Sequence, residues 1–372
     1  MTNFRAAAAE GDHWGLVAKA CLQQMAPLPP GANLGFLYVT EGFVDALSSI
    51  IVFLREMTSV DQWVGGVGFG VFGPDSETRE RNALAIMVGA VDADTIRPFA
   101  TFDPADQDGF LAEHGAWLAN QTAITALVHG DPHAPSVGGV VADLAAAGRA
   151  FLVGGLTAPG EGPRQICGRI DDSLISGLMM GDGIALATGL TQGCSPIGGR
   201  HRITEAVDNV IMQLDGVSAL QTLKAEAGDI ISRDLRRAAG YIHVAQPIAG
   251  SDQTDYMVRG LLAIDPTHGW LAIDGALSVG DQMLFVRRDP WEAQKDLQRM
   301  LDGLARRLAG RTIQAGIYIS CVARNHLFGE EGLEGEMIRE TLGDFPMVGF
   351  SASGEICYDR LYSFTGILAL FL

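Results

Sequence analysis

A glycine-containing phrase occurs twice in the sequence and constrains the fold more than any other feature. Val64–Gly70 reads VGGVGFG and Val348–Gly354 reads VGFSASG, and the two phrases align without gaps. Each phrase follows an apolar strand and a helical stretch, and another apolar strand comes after it. The recurrence therefore predicts a duplicated unit of strand, helix, strand, loop and strand.

A looser copy of this unit lies between the two phrases. Its strands are expected at Ala123–Val128 and Phe151–Gly155, with a helix at Val140–Ala147 between them. After a loop, further strands are expected around Ile166–Ile170 and Ile184–Thr188, and the second glycine of this copy, Gly160, stands one residue late. The long, unequal intervals between copies argue against a solenoid, whose period is short and regular. We interpret the copies as duplicated subdomains.

The pattern changes after residue 200, where we expect a second domain to begin. Three strands between Met257 and Arg287 are expected to form a meander, and Trp291–Leu308 is expected to be an amphipathic helix that covers a sheet. The predicted fold class is α/β, of the α+β kind. It has two domains, 1–200 and 201–372, built from duplicated strand–helix–strand–strand units as layered sheets covered by helices.

The composition argues against several kinds of partner. Forty-four acidic and 26 basic residues give a formal net charge of −18, which repels nucleic acid and anionic membrane surfaces. The longest apolar stretches, such as Phe364–Leu372, have the length of strands, so no membrane insertion is expected. No secretory signal is visible, and the five scattered cysteines indicate neither a disulfide framework nor a zinc site. We therefore expect a cytoplasmic protein.

Several segments, taken in order, resemble the FIST N and FIST C domains. Residues 64–89 and 183–198 are similar to the glycine turn of FIST N and to its closing Gly-Cys-x-Pro-Ile-Gly phrase. Residues 202–223 are similar to the opening of FIST C, with its aspartate–glycine turn before a helix. Residues 319–356 are similar to the most characteristic segment of FIST C. The resemblance extends over nearly the whole chain.

The resemblance implies an intracellular sensory protein that is not an enzyme and that binds a small ligand of the amino-acid type. Proteins of this family signal through another domain or another protein. Because the two domains occupy the chain, we expect a signalling partner in trans, of the histidine kinase, cyclase or chemotaxis type. The resemblance leaves the cofactor unknown.

The loop Ser351–Glu355 is the expected ligand site. Ser351, Ser353 and Glu355 offer two hydroxyls and a carboxylate, which suit a polar ligand that carries an amine. The matching positions in the first copy are apolar: Val67, Phe69 and Val71. Folding therefore does not by itself require polar groups at these positions.

The glycines of the two phrases belong to the same hypothesis. Gly349 and Gly354, like Gly65 and Gly70 in the first copy, allow the backbone to turn sharply or to approach a bound group closely. The alternative is simple packing against a neighbouring strand. Cys321 completes the expected site on the side of the preceding strand.

Two arginines extend the expected site. Arg324 follows the strand expected beside Val348, and Arg259 interrupts an apolar strand. A guanidinium can bind a carboxylate through two hydrogen bonds, so both arginines are candidates for an acidic group of the ligand. The alternative is an internal ion pair with Glu355 or Asp274.

A haem-binding or metal-binding sensor is one alternative function. His129, Asp131 and His133 alternate along the chain and would share one metal-facing edge if that segment were extended. A solvated loop is the other interpretation of this segment. His243 is the candidate haem ligand, although a histidine between apolar neighbours is also typical of a core residue.

A hydrolase or transferase is the second alternative. Its nucleophile would be Cys321 or Ser351, and His326 is the nearby histidine in sequence that would act as the base. Gly349–Ser353 does not fit the nucleophile-elbow pattern, because its last position is serine. The sequence therefore proposes no catalytic triad.

Overall fold

Three six-stranded sheets and a closed ring of strands make up the structure. The computed structural model describes residues 3–171, 173–228, 240–248, 256–275 and 277–372. The three sheets belong to one compact unit, Met1–Thr191 with Leu297–Leu372, and the ring belongs to a second, Gln192–Asp296. Layered sheets with covering helices confirm the α/β class expected from the sequence.

The first unit consists of three repeats with one order of elements: strand, helix, strand, helix, strand, hairpin and closing strand. The first repeat contains β1 (Phe4–Glu10), α1 (Trp14–Met25), β2 (Leu34–Thr40), α2 (Leu47–Thr58), β3 (Gln62–Gly68), β4 (Gly70–Phe72), β5 (Glu77–Arg79) and β6 (Ala83–Gly89). The second contains β7 (Ile96–Phe99), α3 (Gln107–Ala119), β8 (Ile124–Gly130), α4 (Val137–Gly148), β9 (Ala150–Leu156), β10 (Gln165–Cys167), β11 (Arg169–Asp171) and β12 (Ile175–Met180). The repeated unit therefore has one more strand and helix at its start than the sequence pattern indicated.

The third repeat is interrupted by the ring unit. It starts with β13 (Leu186–Thr191). The ring unit follows with β14 (Ser195–Pro196), β15 (His201–Val207), β16 (Val210–Leu214), β17 (Val217–Ser218), α5 (Ala219–Glu226), β18 (Ile242–Pro247), β19 (Tyr256–Asp265), β20 (Trp270–Ile273) and β21 (Gln282–Arg287). The repeat resumes with α6 (Pro290–Leu308), β22 (Ala315–Cys321), α7 (Asn325–Phe328), α8 (Leu333–Leu342), β23 (Met347–Ala352), β24 (Glu355–Tyr358), β25 (Arg360–Tyr362) and β26 (Gly366–Phe371).

The strand expected around Ile184–Thr188 belongs to the third repeat and not to the second. The second repeat closes with β12, which pairs with β8, whereas β13 pairs with β26 of the third repeat. The error arose because the ring separates β13 from the rest of its repeat along the chain.

Each sheet combines elements of two repeats. The strand orders are β1-β6-β2-β3-β10-β11, β7-β12-β8-β9-β24-β25 and β13-β26-β22-β23-β4-β5. Each repeat thus supplies its hairpin to another sheet: the first repeat to the third sheet, the second to the first, and the third to the second. Because this exchange is cyclic, no sheet of the unit is complete without a strand pair from another repeat.

One apolar core lies between the three sheets, and helices cover their outer faces. The central core includes Phe36 of β2, Val153 of β9 and Ile317 of β22, each from a different sheet. Helices α1 and α2 pack on the first sheet and α3 and α4 on the second. Leu301 and Leu304 of α6 are fully buried, whereas Trp291, expected on the same apolar face, is 72% exposed. In the described part of the chain, no helix has the length and apolar character needed to cross a membrane.

One glycine in each repeat allows the two parallel strands to come together. A Cβ at Gly65, Gly154 or Gly349 would lie only 1.8, 2.0 or 1.6 Å from the carbonyl oxygen of the facing residue on the neighbouring strand. Those facing residues are Leu37, Val128 and Tyr318, the paired partners in register. A side chain would collide with the backbone here, so these glycines are required by the close approach of two strands.

The ring unit closes six antiparallel strands on themselves. Their order is β21-β15-β16-β20-β19-β18, and β18 pairs again with β21. Closure removes the open edges that an isolated sheet would present. The expected meander is therefore wrong, since β21 pairs with β15 and β18 and not with β20. The domain boundary expected after residue 200 stays a prediction.

The close approach at Gly349 can be tested with one methyl group. We expect Gly349→Ala to lower the free energy of unfolding by more than about 2 kcal/mol, because its Cβ would lie against the Tyr318 carbonyl. Gly115→Ala in α3 is the matched control, since apart from its chain neighbours and the backbone of its own helix no described atom lies within 4 Å of its Cβ position. Alanine favours a helix over glycine by about 1 kcal/mol, so the control should be neutral or stabilising in urea denaturation. Equal stability of the two variants would contradict the packing account.

Candidate functional site

Seven of the eight residues predicted to bind a ligand lie in the three-sheet unit. They are Gly349 and Ser351 on β23, Ser353 and Gly354 between the strands, Glu355 at the start of β24, Cys321 at the end of β22, and Arg324 in the following 3₁₀ turn. The eighth, Arg259, lies on β19 of the ring unit, and its guanidinium packs over Gly275. The predicted set is therefore divided between the two units.

Arg324 belongs to a buried polar network around Glu334. The Nε and Nη2 atoms of Arg324 donate to Oε1 of Glu334 at 2.9 and 2.6 Å, and the Tyr318 hydroxyl donates to the same oxygen at 3.0 Å. The Ser320 hydroxyl donates to Oε2 at 2.9 Å. Arg324 and Glu334 are fully buried or nearly so. The ion pair considered from the sequence thus exists, but with Glu334 of α8 as the partner and not Glu355.

Glu355 is a buried carboxyl group with an unusual proton affinity. Its Oε2 accepts hydrogen bonds from the backbone N–H and the hydroxyl of Thr365, at 3.0 and 2.8 Å. Burial raises its pKa to about 8, against the opposing effect of these hydrogen bonds. Glu355 is therefore largely protonated at neutral pH. Burial, with the nearby Glu355 carboxyl, also raises the pKa of the Cys321 thiol well above its usual value.

The loop Ser351–Glu355 is one of three equivalent crossings, where the chain leaves one sheet for the next. At each crossing a backbone N–H donates to a carbonyl of another repeat: Phe69 to Ser351 at 3.0 Å, Ala158 to Val67 at 2.8 Å and Ser353 to Leu156 at 3.0 Å. These bonds tie the three sheets together around the central core. The backbone of the expected ligand loop thus has a structural role. This role does not depend on the side chains of its serines and glutamate, because the bonds join backbone atoms.

The second repeat differs from the third in the length of its crossing. Ser353 and Gly354 are adjacent, and both pair with the backbone of Leu156. Their equivalents Ala158 and Arg164 both pair with the backbone of Val67, yet residues 159–163 intervene. The inserted sequence, PGEGP, is typical of a loop. The residues on both sides of this segment, Ala158 and Arg164, are fixed by their bonds to Val67.

The longer crossing borders a polar cavity of about 500 Å³. The cavity lies where β8 and β9 end, and the carboxyl ends of parallel strands are the usual place for ligands in open α/β sheets. Its lining consists of Thr101, Asp103, Asp131, His133, Thr157, Gly160, Gly162, Arg164, Gln165, Ser173 and Leu174. All of these residues come from the second repeat.

A salt bridge between Arg164 and Glu41 connects the cavity wall to the first repeat. Nη2 of Arg164 donates to Oε1 of Glu41 at 2.7 Å, and Nη1 donates to Oε2. The Arg164 side chain is buried, whereas that of Glu41 is 58% exposed. The hydrogen bonds from Arg164 lower the pKa of Glu41, and Glu41, with a smaller contribution from Asp131, raises the pKa of Arg164. Both members of the pair are therefore charged at neutral pH.

The remaining wall is fixed by internal hydrogen bonds. Oε1 of Gln165 accepts from the hydroxyls of Ser173 and Ser176 at 3.2 and 2.7 Å, and its Nε2 donates to the Ser173 carbonyl at 2.6 Å. The Ser353 hydroxyl donates to the carbonyl of Thr157 at 2.7 Å. Ser353 of the expected ligand loop thus holds Thr157, a residue of the cavity lining, through a hydrogen bond.

The histidines considered as metal or haem ligands lie in different surroundings. His129 is fully buried with its Nε2 3.2 Å from the Tyr38 hydroxyl, and burial lowers its pKa to about 3. Asp131 and His133 line the cavity, so the three alternating residues do not share one edge. No group of three metal-binding side chains occurs among the described residues. His243 is buried on β18, and burial lowers its pKa to about 4.

Reasoning from the sequence missed Arg164, Gln165 and Ser173 as site residues. A signal was present, because Gly160 lies in the segment PGEGP, whose composition is typical of a loop. The one-residue delay of Gly160 did not indicate an insertion of this length, since the counterpart of Gly354 is Arg164. The sequence pattern could not indicate that this loop returns to Val67 of another repeat.

Comparisons with known proteins agree on one family. The FIST N domain model matches residues 33–217, and the FIST C domain model matches residues 218–358. An uncharacterized protein of Mycobacterium bovis is 35% identical over 192 residues, which cover 49% of this chain and 50% of the relative. An uncharacterized protein of Mycobacterium tuberculosis is 32% identical over 240 residues, 59% of this chain and 61% of the relative. The chain thus spans half to three fifths of the length of these relatives.

The buried carboxyl group of Glu355 should make stability depend on pH. The folded protein keeps the proton up to about pH 8, whereas the unfolded chain releases it near the ordinary pKa of 4.5. The unfolded state binds fewer protons in this window, so the free energy of unfolding should fall as pH rises through it. Glu355→Gln removes this effect, and its stability relative to wild type should rise between about pH 5 and pH 8, by up to a few kcal/mol.

Urea denaturation at the two pH values measures this difference. Glu340→Gln, an exposed carboxylate on α8, is the matched control and should keep the wild-type dependence on pH. A Glu355→Gln variant with the same dependence as wild type would contradict the protonated state of Glu355.

Proposed function

The chain belongs to the FIST family, with a FIST N and a FIST C domain over most of its length, and we propose that it senses a small polar ligand bound in the cavity of the second repeat. FIST domains are sensory domains, so a binding site and a signalling output are the two properties to account for. The relatives are uncharacterized and contribute no ligand.

The polar cavity is the observation that carries this proposal. Its volume of about 500 Å³ lies within the range of small-molecule sites, and a few polar groups converge on it. The wall is built by an insertion that the third repeat lacks, although the third crossing makes the same backbone bonds. Folding therefore does not require this loop, which supports a role in binding.

The ligand class that fits best is a small molecule of the amino-acid type. Asp131 offers a carboxylate to an amine, and Thr101 and Thr157 offer hydroxyl groups. The loop Ser351–Glu355 with Arg324 stays a second candidate site. A ligand there would have to disrupt the buried pair of Arg324 and Glu334, which is costly once one charge loses its partner.

We propose an output without catalysis, through a separate signalling protein in the cytoplasm. A raised pKa keeps the Cys321 thiol protonated, and the thiol is a poor nucleophile. The buried Oγ of Ser351 has no hydrogen-bond partner among the described residues, so no base activates it there. These observations support binding over a hydrolase or transferase function.

A thermal-shift screen tests the proposal. Amino acids, organic acids, haem and divalent metal ions are added to the full chain, and at least one small polar compound should raise the melting temperature in a saturable way without being consumed. A ligand at 100 times its Kd stabilises the folded state by about 2.7 kcal/mol. Asp131→Asn should weaken this ligand by about tenfold, because a hydrogen bond to a charged group is lost.

Asp143→Asn is the matched control, since Asp143 is an exposed carboxylate on α4 of the same repeat and does not line the cavity. It should bind the ligand as wild type does. Stabilisation by no compound of the screen, or equal affinity in Asp131→Asn, would refute binding in this cavity.

A further inference from the structure

The cavity carries an excess of negative charge. Asp103 and Asp131 line it, and among the described residues of its lining Arg164 is the only arginine or lysine. Glu41 is bound to both terminal nitrogens of Arg164, so the charge of that guanidinium is balanced by a carboxylate. The two aspartates and Glu41 together therefore outweigh the one guanidinium, and the net charge around the cavity is negative.

Arg164 is also folded back over its own loop. Its terminal nitrogens approach the carbonyl oxygens of Ala158 and Glu161, at 3.4 and 3.5 Å. A Cβ at Gly160 would lie 1.8 Å from Nη2, so only glycine leaves room for the guanidinium here. The Arg164 side chain is thus bound to its own loop and to Glu41. A ligand carboxylate cannot form the same bidentate hydrogen bond, because Glu41 already occupies both terminal nitrogens.

One donor of Arg164 is left over. Its Nε is buried and has no hydrogen-bond partner in the part of the chain that the structure describes. The arginine as a whole is only 7% exposed, and it lines the cavity. Because this N–H is buried, it offers nothing to a ligand in the cavity, and the hydrogen bonds that Arg164 makes go to Glu41 and to its own loop.

We propose that the cavity selects a cationic amine over a molecule that carries a carboxylate, and that Glu41 of the first repeat sets this preference by neutralising Arg164. Asp131 and Asp103 attract the ammonium group of such a ligand. This inference rests on the proposed function and deepens it, because it names the charge of the ligand and a residue outside the cavity that controls it.

The preference follows from the balance of charges. In the wild-type protein a ligand carboxylate meets two aspartates and an arginine that is already paired, so it is repelled. In Glu41→Gln the guanidinium keeps its position through the loop carbonyls but regains an unbalanced positive charge. Ligands with a carboxylate should then gain affinity relative to those with an amide.

Three compounds with the same four-carbon chain test this inference: 4-aminobutanamide, 4-aminobutyrate and succinate. Their affinities for the full chain are measured by ligand-observed NMR. Wild type should bind 4-aminobutanamide most tightly, 4-aminobutyrate more weakly and succinate least. In Glu41→Gln the affinity of 4-aminobutyrate relative to 4-aminobutanamide should rise on the order of tenfold.

Two further variants complete the design. Asp131→Asn should weaken both amines on the order of tenfold and should not weaken succinate. Glu10→Gln is the matched control, because Glu10 is a similarly exposed carboxylate of the same repeat that pairs with Arg81, away from the cavity lining. It should keep the wild-type order of affinities.

Tighter binding of succinate than of 4-aminobutanamide to wild type would overturn the inference, and so would an unchanged ratio in Glu41→Gln. Failure of 4-aminobutanamide to bind at all would overturn it as well. The proposed function would survive each of these results if another compound of the metabolite screen bound the cavity in a way that depended on Asp131.

Discussion

The cyclic exchange of hairpins is the constraint on which the three-sheet unit depends. Each sheet is completed by a hairpin of another repeat, so the chain must cross between sheets three times beside the central core. Gly65, Gly154 and Gly349 make room for the parallel strands next to these crossings. The three backbone bonds at the crossings then fix the sheets relative to one another. We therefore expect the unit to unfold cooperatively as a whole and not repeat by repeat.

This constraint also explains how a site arises in an otherwise repetitive structure. A crossing needs only its backbone bonds to the neighbouring repeat, and those bonds are made whether or not extra residues lie between them. Residues 159–163 lie at such a place, between Ala158 and Arg164, and the backbone bonds on both sides of them are intact. The loop contacts Val67 and Glu41 of the first repeat, so it connects two repeats.

The sequence predicted what is local and missed what is distant. The glycine phrases and the apolar strands indicated the repeats and the α/β class, because spacing and side-chain pattern are properties of neighbouring residues. The exchange of hairpins joins strands far apart in the chain, and no pattern in one repeat points to it. The partner of Arg324 was missed although Glu334 is only ten residues away in the chain. Glu334 lies on α8, and the backbone N–H of Gly332, just before this helix, donates to Glu77 in the hairpin of the first repeat. Near Arg164, the sequence shows the irregular position of Gly160. The return of the loop to Val67 of the first repeat is visible only in three dimensions.

The central claim is that the inserted loop serves binding and not folding. Its most direct test is calorimetric titration of a variant that lacks residues 159–163, so that its crossing has the length of that in the third repeat, with the compound that stabilises the wild-type chain. The account predicts a variant that unfolds cooperatively with near-native stability and that no longer binds the compound. Retained binding, or loss of the folded state, would contradict it.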